Sequence, residues 1–139
     1  MASEVHHLAG KASRKVLLVD DSMLVRHSVC RFLEERGYTV ETATNGVDAL
    51  EVVSRLHPDV IITDMQMPKM SGGELINALK AEPSTAQIPV VIVTSRHGAP
   101  DENEKRAAFA IRKDIDIEVQ LAKALGAVFK ASHAQVAGK

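Results

Sequence analysis

A chain of 139 residues is long enough for one domain with a sizeable core and too short for two. Its 17 Lys and Arg against 18 Asp and Glu leave a net charge of −1, which removes any bulk electrostatic reason to bind nucleic acid or an anionic membrane. No apolar run approaches the roughly 20 residues of a bilayer span, no signal-peptide pattern opens the chain, and Cys30 alone offers no disulfide framework, so the expected location is a reducing cytoplasm.

Residues 1–13 are small, polar and aperiodic and read as a mobile leader, His6-His7 included, with one domain over 14–139. Lys15-Val16-Leu17-Leu18-Val19 predicts a first strand, closed by Asp20-Asp21. Ser22 is placed to cap a helix whose Val25, Val29, Phe32 and Leu33 fall at helical spacing and which Gly37 ends. Residues 38–43 are β-rich and predict strand two. After the Asn45-Gly46 turn, Val47, Leu50, Val53 and Leu56 mark the inner face of a second helix, stopped at His57-Pro58. Val60 to Thr63 are apolar or β-branched, as a strand buried on both faces requires, and the run ends on Asp64. Ser71 and Glu74 have capping-box spacing ahead of Leu75, Ile76 and Leu79, and residues 88–94 predict strand four, ending at Thr94. Strict alternation of strand and helix predicts a doubly wound parallel sheet with right-handed crossovers.

Beyond Thr94 the pattern loosens. Ala107, Ala108, Ile111, Ile115, Val119 and Ala122 keep helical spacing over 101–125, with a break expected near Lys113–Asp116. Gly126-Ala127-Val128-Phe129-Lys130 reads as the last strand, leaving nine residues.

Strands ending on Asp20-Asp21, Asp64, Thr94 and Lys130 would bring these groups to the carboxyl rim, where open α/β sheets keep their ligands. Three carboxylates that close repel, so the cluster makes sense with a cation among them, and hard oxygen donors suit Mg2+. Asp64 is then a candidate nucleophile, able to take a phosphoryl group as an acyl phosphate, with Lys130 and Thr94 binding phosphoryl oxygens.

At these motifs, V-L-L-V-D-D-S (16–22), I-I-T-D-M-Q-M-P-K-M-S-G-G-E-L (61–75), V-I-V-T-S (91–95) and V-F-K (128–130), the chain resembles the receiver domain of two-component response regulators, of the chemotaxis-regulator type. The resemblance implies a flavodoxin-like five-stranded parallel sheet of order 2-1-3-4-5. It implies phosphorylation of Asp64 by a histidine kinase or phosphotransfer protein and Mg2+ held by Asp20, Asp21, Asp64 and the Gln66 carbonyl. Thr94 and Lys130 would sense the phosphoryl group, and a downstream protein would read the change. Such a domain is a phosphoacceptor, at most catalysing its own phosphorylation and dephosphorylation. The alternative is a pseudo-receiver, a phosphorylation-independent adaptor or dimerisation module on the same fold. An aspartate-nucleophile phosphatase of the haloacid dehalogenase type fits poorly, because it needs Asp-x-Asp directly after strand one.

Three departures from the family follow with Lys130 as its lysine. Thr94 to Lys130 spans 36 residues, which implies an insertion at about 96–116 and an extended region between strand four and helix four. Ala131 and Ala127 stand where the family usually has proline and the switch aromatic. Residues 131–139 are too few for a full fifth helix, so a truncated C-terminal helix would bare one sheet face and invite a homodimer or another cover.

Overall fold

The computed structural model describes residues 14–94, 102–113 and 116–137, so the expected leader lies outside the described residues. Five strands form one parallel sheet: β1 (Lys15–Val19), β2 (Thr39–Ala43), β3 (Val60–Asp64), β4 (Val90–Thr94) and β5 (Phe109–Arg112). The order is β2-β1-β3-β4-β5, the flavodoxin-like arrangement. The helices are α1 (Met23–Glu35), α2 (Gly46–Leu56), α3 (Gly72–Ala81), the single turn α4 (Glu102–Lys105) and α5 (Ile117–Ala137).

Local chemistry sets the boundaries as expected in the first two-thirds. Ser22 caps α1 by accepting from the Val25 N–H, and the chain leaves that helix through Gly37, whose φ of 96° is the left-handed region that favours glycine. Ser71 and Glu74 close a complete capping box on α3. Strand residues alternate between two cores. Leu17, Val19, Ile61 and Ile92 pack against α2 and α3, while Val16, Leu18, Val60, Ile62, Val91 and Val93 pack against α1 and α5. In α2 the buried stripe is Ala49, Val52 and Val53, with Leu50 and Leu56 at its edge; Val47 is 48% exposed, one residue off the expected face.

The last third departs from expectation. The fifth strand is Phe109–Arg112, inside the segment read as helix and as insertion, and it pairs with β4 in the register Thr94↔Arg112. Gly126–Lys130, expected as that strand, lies in the middle of α5. The C-terminal helix is not truncated: its 21 residues bury Leu121, Ala124 and Leu125 on the sheet face expected to be bare. Phe129, placed on a strand by the sequence, stacks on Tyr38 at 5.9 Å between ring centroids, and the Arg14 guanidinium sits 4.2 Å over its ring. The basis for a homodimer through an uncovered face is therefore gone.

The packing of α5 has a measurable consequence. Leu121 is fully buried, so Leu121→Ala should lower stability by about 2–5 kcal/mol, whereas exposed Lys130→Ala should stay within about 0.5 kcal/mol. Urea midpoints of the two variants check the pair; equal midpoints would contradict the placement of α5.

Candidate phosphoacceptor site

The parallel register puts the ends of β1, β3, β4 and β5 along one rim. Asp20 follows β1 directly and is buried; one of its carboxylate oxygens accepts from the Ser22 N–H at 2.9 Å, and its carbonyl accepts from the Arg26 guanidinium at 2.8 Å. Asp21, the next residue, is exposed. Asp64 is the last residue of β3 and is also buried, with the Gln66 N–H 3.5 Å from Oδ1. Carboxylate oxygens of Asp20, Asp21 and Asp64 all lie within 4.8 Å of one another. Thr94, the last residue of β4, is buried one position past Val93, the register partner of Asp64.

The cation of the site is Lys113, not Lys130. Lys113 follows β5, and its Nζ stands 3.3 Å from Asp20 Oδ2 and 3.3 Å from Asp64 Oδ2. Lys130 is an exposed residue of α5. Sequence reasoning missed Lys113 because Val128-Phe129-Lys130 looks more like a buried strand end than Ala110-Ile111-Arg112-Lys113 does. The usable signal was chain length: a lysine at 113 leaves room for a full last helix, and one at 130 does not. With this correction the interval from Thr94 to the lysine is 19 residues, and no insertion is needed. The position three before the lysine is Ala110, still not an aromatic, and Asp114 rather than Ala131 follows the lysine.

The electrostatics match the crowding. Burial, and then the neighbouring Asp20 charge, push the Asp64 carboxyl above the usual carboxylate range, against the opposing pull of Lys113. Burial alone would lower the Lys113 ammonium, but Asp20 and Asp64 outweigh it and raise the group above its ordinary value. The Asp64 carboxylate is thus held at an energetic cost that one ammonium offsets only in part. That shortfall, together with three hard oxygen donors so close, fits a small divalent cation that Asp20, Asp21 and Asp64 would hold. The donor set contains no soft sulfur or imidazole ligand, which favours Mg2+ over Zn2+.

The loop after Asp64 is held by backbone contact. Lys69 takes a left-handed φ of 69°, and the Gly72 N–H donates to the Met65 carbonyl at 2.9 Å, folding the chain back over the strand end. A Cβ on Gly72 would lie 2.5 Å from the Asp64 carbonyl oxygen. Gly72→Ala should therefore displace the Asp64 backbone and cost about 1–3 kcal/mol. Chemical denaturation, with the amide resonance of Asp64 as a local reporter, checks this; an unshifted resonance would show that the loop yields instead.

The response regulator receiver domain profile matches residues 16–125. The chain belongs to the response regulator receiver domain family. Among solved structures, it is similar to the chemotaxis protein CheY4 of Vibrio cholerae, at 34% identity over 84% of this chain and 99% of that one, with a TM-score of 0.77. It is also similar to the receiver domain of a signal transduction histidine kinase from Syntrophus aciditrophicus, at 31% identity over 86% and 92% of the two chains and a TM-score of 0.76. Two curated relatives are the gliding motility regulatory protein of Myxococcus xanthus, 35% identical over 90% of this chain, and the response regulator MprA of Mycobacterium leprae, 39% identical over 59%. The chain spans only 16% and 35% of the length of those two relatives. A receiver domain is a signalling unit of two-component systems rather than an enzyme in the usual sense. Among the described residues no helix is long and apolar enough to cross a membrane.

Proposed function

We propose that this receiver domain is a phosphorylation-operated switch that accepts a phosphoryl group on Asp64 from a histidine kinase or phosphotransfer protein. The observation that carries the reading is the convergence of Lys113 Nζ on both Asp20 and Asp64 at 3.3 Å, beside a third carboxylate. In the transfer, an Asp64 carboxylate oxygen forms a bond to phosphorus as the donor's phosphorus–nitrogen bond breaks, leaving an acyl phosphate on the protein. Mg2+ held by Asp20, Asp21, Asp64 and the Gln66 carbonyl would supply charge neutralisation for the acids and the phosphoryl oxygens. Lys113 leaves Asp64 for a phosphoryl oxygen, and the Thr94 hydroxyl binds another. Asp20 keeps its orientation through the Ser22 N–H and the Arg26 contact to its carbonyl.

The new charge of about −1.5 to −2 then reorganises the loops around the rim, and a downstream protein reads the changed surface. Met23 and Leu24, 74% and 78% exposed at the start of α1 next to Asp20-Asp21, suit a protein donor rather than a free metabolite. The cellular setting that matches is the cytoplasm, without nucleic acid as a direct ligand of this domain.

Magnesium titration tests the site. At a concentration tenfold above its dissociation constant, Mg2+ should stabilise the fold by about 1.4 kcal/mol, near 5 °C in melting temperature for a domain of this size. Affinity should rise with pH through the elevated Asp64 titration, because the ligands bind deprotonated. A melting temperature indifferent to Mg2+, with no mass gain from acetyl phosphate, would leave the pseudo-receiver reading in its place.

A further inference from the structure

We propose that Gln120 is a positioning residue for Lys113, its side-chain amide standing in for a missing strand at the open edge of β5. The inference rests on Lys113 being the charge partner of the phosphoacceptor. Among the described residues β5 is terminal in the sheet order, and its outer edge faces no further strand. Gln120, in the first turn of α5, reaches that edge with both ends of its amide. Oε1 accepts from the Arg112 N–H at 3.3 Å, and Nε2 donates to the Arg112 carbonyl at 2.9 Å, the two-point contact a neighbouring strand residue makes. On the other side, the Lys113 N–H donates to the Thr94 carbonyl at 2.9 Å. The peptide joining Arg112 to Lys113 is thus gripped from both directions.

The grip matters because of what leaves from it. Lys113 has a long, flexible stem and reaches two buried carboxylates, so the direction of its Cα–Cβ bond decides whether the ammonium arrives. Gln120 also ties the start of α5 to this point, since Nε2 lies 3.4 Å from the Asp116 carbonyl. Only a glutamine side chain makes this double contact from position 120. Its amide donates and accepts at once, whereas glutamate cannot donate, methionine does neither, and asparagine is one methylene short.

The test compares Gln120→Ala and Gln120→Met with the unaltered chain by three readouts. Acetic anhydride labelling followed by mass spectrometry reports the exposure of each lysine amine, beryllofluoride titration in Mg2+ reports phosphoryl-site affinity, and Mg2+ titration alone reports the acids. Labelling of Lys113 should rise about fivefold or more while Lys123 and Lys130 stay within about twofold, and beryllofluoride affinity should fall about tenfold with Mg2+ affinity undiminished. On a Lys113→Ala background the Gln120 substitutions should add nothing, the non-additivity expected of residues acting through one group. A uniform rise at all lysines, an unchanged Lys113, or full additivity overturns the proposal. If the unaltered chain binds no beryllofluoride, the phosphoacceptor reading fails by itself, and the lysine labelling still decides the role of Gln120.

Discussion

A chain carrying Asp64→Asn is expected to gain no mass from acetyl phosphate and yet to melt above the unaltered chain in magnesium-free buffer at pH 7. Uptake should be lost completely because the proposed nucleophile is the Asp64 carboxylate oxygen, and the uncharged amide lacks that anionic oxygen. The gain in stability follows from the sign of the Asp64 shift. Burial and the Asp20 charge raise its carboxyl in the folded state. A carboxyl raised on folding contributes stability below its unfolded value of about 3.9 and loses it as pH rises through the folded value. Once the carboxyl is ionised in the folded state the penalty is in force, and the uncharged isostere removes it. The difference between the two melting curves should shrink as pH is lowered through that range and shrink again when Mg2+ is added to the unaltered chain. Parallel curves at all pH values would show that Asp64 is not under strain from Asp20, and phosphorylated Asp64→Asn protein would move the acceptor elsewhere.

The second large effect separates two lysines. Lys113→Ala should slow phosphoryl uptake by about 10²-fold or more, the scale on which removing one preorganised charge-stabilising group acts, while Lys130→Ala should leave it within about twofold. Stability should also fall in the first variant alone. Lys113 is raised above its ordinary value by Asp20 and Asp64, so its contribution is fully present at neutral pH and is lost only as pH climbs through its folded value. Without it two buried carboxylates face each other, at a cost of about 1–3 kcal/mol in the absence of metal. Magnesium should bind the variant at least as tightly as before, because the ammonium no longer competes for the same oxygens. Rates from acetyl phosphate and Mg2+ titrations on both variants decide this. Equal rates for Lys113→Ala and Lys130→Ala would remove the lysine from the mechanism.

The two lysines also show where sequence stops being sufficient. Central strands announce themselves: Val60 to Asp64 and Val90 to Thr94 are buried on both faces, so solvent exclusion demands an unbroken apolar run. β5 is a terminal strand of four residues with only Ile111 buried, and Ala107, Ala108 and Ile111 happen to satisfy a helical period as well. The opposite error arose at 126–130, where small and β-branched residues imitate a strand, but there Val128 is buried and Phe129 packs on the core from within a long helix.

The chain by itself determined the alternating order of elements, the caps at Ser22 and Ser71, and three acids at strand ends, because each is written in local residue chemistry or in a pattern of period two or 3.6. Which lysine completes the site, which helix covers the second face, and the grip of Gln120 on the Lys113 peptide were decided by tertiary structure. Edge pairing and side-chain reach join residues distant in sequence, and no local period records them.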